Sequence, residues 1–184
     1  MKIAAFMGSP RKNQNTDSLL DAFLKGIKEN SNAEISNIFL QKYNISNCLA
    51  CDSCKTNNQC VLNDHMQNLY PIFRQADIIV FATPIYWWSM SAQMKTFIDR
   101  LYCIGSENMK GKKAYVLMTY GGELPNSGPE LVEKTFKDIF DYVGIELKGV
   151  LGGCSGDTPI DHNTALLNEK PNQPIHSMAA PIRV

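Results

Sequence analysis

Short apolar runs alternate with amphipathic stretches along this chain, and the alternation itself dictates a fold class. Ile3 to Met7 has the length and continuity of a buried strand, and Thr16 to Glu29 places Leu19, Leu20, Phe23, Leu24 and Ile27 at helical spacing. Glu34 to Leu40 alternates like a second strand. A connection of about twenty residues follows, long for a compact domain. Asp64 and Gln67 then predict a capping box for a helix that buries Met66, Leu69, Tyr70, Ile72 and Phe73 and ends near Gln75. Asp77 to Ala82 holds Ile78-Ile79-Val80-Phe81, an unbroken β-branched and aromatic run of the kind buried on both faces of a parallel sheet. Ser91 to Leu101 predicts a helix, Lys113 to Met118 a fourth strand, Asn126 to Tyr142 a longer helix, and Ile145 to Leu151 a fifth strand ended by Gly152-Gly153.

Strands that alternate with helices imply right-handed crossovers and a parallel sheet covered on both faces. Five of them suit an α/β, three-layer, flavodoxin-like doubly wound domain with strand order 2-1-3-4-5. A fifth helix should close it. Asp157 to Val184 instead carries Pro159, Pro171, Pro174 and Pro181 and only a weak helical patch, Thr164 to Asn168, which predicts an irregular carboxyl tail. The expected organisation is one domain over residues 1–157, with a cysteine-rich loop at 41–63, and an extension over 158–184. A length of 184 residues suits it.

Composition narrows the partners. Hydrophobic residues at 44% and charged residues at 20% exclude a disordered chain. Eighteen basic and eighteen acidic residues cancel, so no global field draws in nucleic acid or an anionic membrane, and any anion must be held by a local site. The apolar start stops at Gly8-Ser9-Pro10, short of a signal sequence, and no run approaches the roughly 18 apolar residues of a membrane span. The expected location is the cytoplasm. Four of the six cysteines fall within Cys48 to Cys60, a clustering that in such a compartment points to metal or redox chemistry, while Cys103 and Cys154 read as ordinary buried thiols.

Three loops carry candidate chemistry. Gly8 to Thr16 joins the first strand to the first helix, where free amides and the helix dipole favour an anion such as phosphate. Ser9, Thr16 and Ser18 hydroxyls, the Asn15 amide and the Arg11 guanidinium are its candidate donors, although a plain helix cap would use the same residue types. Neither GxGxxG nor the Walker pattern is present, so a mononucleotide fits better than a dinucleotide or a P-loop triphosphate. Across the crevice of such a sheet lies Thr83-Pro84-Ile85-Tyr86-Trp87-Trp88, whose aromatics offer flat surfaces to a heteroaromatic ring. The loop Thr119-Tyr120-Gly121-Gly122 completes the crevice, its paired glycines letting a backbone approach a ring edge.

The runs Gly8-Ser9-Pro10-Arg11 to Asn15-Thr16, Thr83-Pro84-Ile85-Tyr86-Trp87, and Ser91-Ala92-Gln93-Met94-Lys95 to Phe97-Ile98-Asp99-Arg100 resemble the NAD(P)H-dependent FMN reductase family. Cys48, Cys51, Cys54 and Cys60, ahead of an Asp64 helix, most resemble the iron–sulfur flavoproteins within it. The resemblance implies FMN with its phosphate at Ser9, Arg11, Asn15 and Thr16 and its ring against Pro84, Ile85, Tyr86 and Trp87 and against Thr119 to Gly122. NAD(P)H is the implied co-substrate and a quinone, a flavin or a ferredoxin-like protein the implied acceptor. The cofactor carries the hard chemistry, so no catalytic side chain is assigned. Closely spaced cysteines favour a [4Fe-4S] cluster, with an unligated loop, zinc and a disulfide as alternatives. Three roles stay open: an FMN-dependent oxidoreductase, an electron carrier relaying between protein partners, or a regulator that binds flavin without turning over a donor. A homodimer or homotetramer is expected.

Overall fold

The two-sided apolarity of Ile78-Ile79-Val80-Phe81 places it at the centre of the sheet, where both faces are covered by helices. The structure is a computed structural model and describes residues 1–155. In chain order its elements are β1 (Lys2–Met7), α1 (Asn15–Asn30), β2 (Glu34–Phe39), α2 (Met66–Gln75), β3 (Ile78–Tyr86), β4 (Ser89–Met90), α3 (Ala92–Leu101), β5 (Lys113–Tyr120), α4 (Ser127–Val143) and β6 (Glu146–Cys154). The sheet order is β2-β1-β3-β5-β6, all parallel, with β4 outside that path, pairing antiparallel with the carboxyl end of β3. This is the expected 2-1-3-4-5 order with one short hairpin strand added.

Alternation along the strands sorts side chains into two cores, as the period of two requires. Ile3, Ala5, Met7, Val80, Ala82 and Leu117 meet Leu19, Leu20, Leu24 and Ile27 of α1. On the opposite face Ala4, Phe6, Ile79, Phe81 and Val116 meet α2, α3 and α4. Phe97 of α3 stacks on Phe6 with centroids 4.3 Å apart, and Phe136 and Phe140 of α4 lie 5.3 and 5.5 Å from Phe81. Leu151, in register with Leu117 on the α1 face, stays 37% exposed at the edge where a fifth helix would lie.

Several expectations need correcting. β3 and β5 continue past Ala82 and Met118, because Thr83 pairs with Met118 and Pro84 with Thr119. β6 runs through Gly152-Gly153 for the same reason, its pairing with β5 continuing to Cys154. The capping box does not form: Asp64 does accept from Met66 N–H, but the Gln67 amide turns away to the carbonyls of Cys60 and Leu62. The boundary at 157, the extension beyond it and the patch at Thr164 to Asn168 lie outside the described residues.

Candidate functional site

The carboxyl ends of β1, β3 and β5 bring the three predicted loops together, and each pair of loops is joined by a contact. Thr16 and Thr119 share a 2.7 Å hydroxyl hydrogen bond that ties the first turn of α1 to the end of β5. Ser91, fully buried, donates to the Gly8 carbonyl at 2.7 Å, while its own N–H donates to Thr83 Oγ1 at 3.0 Å, tying the first loop to the second. Strand pairing joins the second to the third, Pro84 standing in register with Thr119 across β3 and β5. The crevice between β1 and β3 is where the strand order reverses, the usual ligand position in open α/β sheets.

The first loop is braced from within. Asp17, buried in the first turn of α1, accepts from Asn13 N–H at 2.8 Å and from Lys12 Nζ at 2.7 Å. Ser9 is buried and its hydroxyl closes a turn with the Arg11 backbone rather than facing outward. Gln14 occupies the N-cap of α1 and makes no side-chain hydrogen bond to the helix, so the first turn keeps donors of the kind an anion takes. Arg11 is exposed beside that turn, with Asn15 and Ser18 half-buried on it.

The second loop is a hairpin. Ile85 pairs with Met90 and Tyr86 with Ser89, so Trp87 and Trp88 form a two-residue turn, with φ of 48° and 59°. Both angles are positive, as a type I′ turn demands, yet neither residue is the Gly or Asn that reaches this region cheaply. Trp87 is 90% exposed at the tip, and Tyr86 and Trp88 are partly so. In the third loop Thr119 and Tyr120 are buried, and a Cβ on Gly121 would meet nothing within 4 Å, which leaves open space beside that backbone. Asn126 holds this loop by donating to the Gly122 and Glu123 carbonyls. Cys154 is not the buried thiol expected: it is half-buried, with Sγ 3.5 Å from the Gly122 carbonyl. Burial pushes the Tyr120 phenol above its ordinary pKa, so it stays protonated at neutral pH.

The cysteine loop lies elsewhere, along an apolar cleft of about 680 Å³ between α3 and α4. Cys48, Cys51, Cys54 and Cys60 all line that cleft, as does Cys103, and all six cysteines are free thiols. Burial raises the Cys54 thiol, and Cys60, Cys48 and Cys51 add to it, so those three stand within electrostatic reach of Cys54. Hydrogen bonding from Ser53 lowers the Cys51 thiol. Among the described residues no three His, Cys, Asp or Glu side chains converge as a metal site. In donor chemistry four thiols fit an iron–sulfur cluster, and they fit a four-cysteine zinc site equally well.

Sequence reasoning missed the residues that hold these loops. Asp17, Ser91 and Asn126 carry generic signatures of helix starts, and Ser91 and Asn126, each directly ahead of an apolar-periodic helix, could have been singled out as caps. Arg100 of α3, 1% exposed, binds Asp64 through Nη1 at 2.6 Å and Nη2 at 3.1 Å, an ion pair no local pattern announces. Burial pushes the Asp64 carboxyl up, but hydrogen bonds from Arg100 and from the Ser46 and Met66 amides outweigh it and hold it below the usual carboxylate range. A carboxyl depressed in the folded state stabilises fully above its unfolded pKa of about 4, and that contribution is lost as pH falls through the folded value. Melting curves from about pH 5 down to pH 2 should therefore fall more steeply for the natural chain than for Asp64→Asn. Parallel curves would show that the carboxylate contributes nothing.

Comparison with known proteins adds relatives. The family model described as NADPH-dependent FMN reductase matches residues 1–145. An iron–sulfur flavoprotein of Archaeoglobus fulgidus is 37% identical over 123 residues, 66% of this chain but only 56% of the relative's length. One from Methanosarcina thermophila is 34% identical over 90% of this chain and 84% of its own. A Bacillus subtilis protein named as the NAD(P)H-dependent FMN-containing oxidoreductase YwqN is 32% identical, covering 88% of this chain and 91% of its own. The fold is shared with an FMN-dependent NADH-azoreductase from Bacillus anthracis, solved with FMN, at a TM-score of 0.67 and 17% identity over 91% of this chain and 93% of that one.

Proposed function

Because this chain belongs to the NADPH-dependent FMN reductase family, we propose that it is an FMN-dependent NAD(P)H oxidoreductase that passes electrons to a quinone, a flavin or a protein acceptor. The observation that carries this reading is the mutual bracing of the three loops at the strand-order switch point, through Thr16 with Thr119, Ser91 with Gly8, and Pro84 paired with Thr119. Bound FMN would supply hydride acceptance from the nicotinamide and onward electron delivery. The chain's residues bind and orient. The first turn of α1, with Arg11, Asn15, Thr16 and Ser18, would hold the phosphate, and buried Ser9 would shape the loop rather than donate. Pro84, Ile85, Tyr86 and Trp87 would wall one side of the ring, and Thr119 to Gly122 would leave its edge room.

A second reading, an iron–sulfur flavoprotein that relays electrons between protein partners, is favoured by the four thiols on one cleft. Among the described residues no helix is long and apolar enough to cross a membrane, which suits the cytoplasmic location proposed here. Exposed Trp87 and Leu151 offer apolar surface for the proposed homodimer or homotetramer. One preparation tests these readings together: protein purified without oxygen, its mass in solution, its iron and sulfide content, and its spectrum on adding NADPH or NADH. Flavin bands that the nicotinamide bleaches within turnover times are the expected result. A flavin reduced only by ferredoxin would overturn the oxidoreductase reading, about four irons per chain would support the cluster, and a monomeric mass would remove the oligomer.

A further inference from the structure

We propose that the buried Arg100–Asp64 pair is a clasp that closes the stem of the cysteine loop and so sets where Cys48, Cys51, Cys54 and Cys60 stand. The proposal deepens the reading of that loop as a cluster site. It starts from where the bonds go. Asp64 Oδ2 accepts from Ser46 N–H at 2.9 Å and from Arg100 Nη1, and the same Nη1 donates to the Ser46 carbonyl at 2.7 Å. Just outside, His65 N–H donates to the Asn44 carbonyl at 3.2 Å, and Asn44 N–H donates to His65 Nδ1 at 2.9 Å. The segment between Ser46 and Asp64 is thereby pinched shut at its base, and all four cysteines of the motif lie inside the pinch.

The pinch is anchored to a rigid element. Thr96, one turn before Arg100 on α3, donates to Asn47 Oδ1 at 3.2 Å, and the short turn Ser53–Lys55 that carries Cys54 packs on the turn Tyr102–Ile104 that extends α3. Stability alone does not account for the pair. A buried ion pair is commonly no more stabilising than apolar residues of the same volume, because desolvation offsets its attraction. Arg100 bears a further cost, since its Nε is buried without a hydrogen-bond partner. What the pair gives in return is geometry: Nη1 reaches both ends of one loop, the Ser46 carbonyl and Asp64, while Nη2 completes a bidentate grip on Asp64, an arrangement that a lysine cannot reproduce. Arg100 and Asp64 are positioning residues, acting on the group held by the thiols only through the loop.

The test uses the full chain and the variants Asp64→Asn and Arg100→Lys. Labelling of Cys54 and Cys60 by 5,5′-dithiobis(2-nitrobenzoic acid) in metal-free protein should accelerate about tenfold or more, as the loop opens locally. Iron retained after anaerobic reconstitution should fall several-fold, the potential of the remaining iron–sulfur signal should shift, and FMN affinity should be unchanged. Labelling, iron retention and potential equal to those of the natural chain would overturn the proposal. If the natural chain takes up no iron yet the variants label faster, the cluster reading fails and the clasp stands. Should the single variants not fold, the paired replacement Asp64→Leu with Arg100→Met removes both charges, and natural labelling rates in it would show the pair to be mere packing.

Discussion

Valine in place of Gly8 is expected to abolish retention of FMN and to lower stability by about 1–3 kcal/mol. A Cβ at this position would stand 2.9 Å from Met94 Cβ and 3.0 Å from Ser91 Oγ. Met94 Cβ belongs to the frame of α3 and cannot swing aside as a side-chain tip can. The loop must move instead, and it can do so only by breaking the Ser91 hydrogen bond to the Gly8 carbonyl, the link between the phosphate loop and the hairpin. Each 1.4 kcal/mol of lost loop preorganisation weakens binding about tenfold. Fluorescence titration with FMN and urea melts of the same variant check this together. Natural affinity in a destabilised variant would place FMN away from this loop.

Asp17→Ala should cost roughly 2–3 kcal/mol, the scale of losing hydrogen bonds to a buried charged group. The carboxylate holds both Lys12 Nζ and Asn13 N–H, so its removal loosens the middle of the loop, where Lys12 keeps its contact with the Phe39 ring. Lys12 is itself about half exposed, and solvent screening reduces the worth of its ion pair, which is why the figure stays below that of a fully buried one. Asp17→Asn keeps an acceptor for the Asn13 amide and should recover most of the FMN affinity lost by the alanine variant. Equal FMN affinity in all three proteins would mean that the loop needs no internal brace.

The succession of strands and helices was legible because buried parallel strands and amphipathic helices write different periods into a chain, and the run at Ile78 to Phe81 left little choice. The crevice loops were legible for the same reason, since topology places them once the order is known. The hairpin was not. Trp87 and Trp88 adopt a turn whose usual signal is Asn-Gly, and nothing in two tryptophans announces positive φ. Asp64 misled in an instructive way: its spacing from Gln67 fits a local cap, but its strongest partner lies 36 residues on, where no local pattern reaches. Sequence equally cannot tell which way the Ser9 hydroxyl turns, and in the structure it meets the Arg11 backbone.

The stem formed by Asn44 with His65 also bears on how such a chain diversifies. Because the two ends of the loop already meet, its interior can be lengthened, shortened or replaced at a cost that grows only as the logarithm of its length. The sheet and the crevice loops take no part in that exchange. A loop of this kind is a cassette: grafting a different ligand set between Ser46 and Asp64, or a short turn with none, would change what the protein carries beside its crevice while leaving the scaffold to fold as before. Divergence among such chains should then concentrate inside the stem, and the stem itself should be the place where a designer cuts.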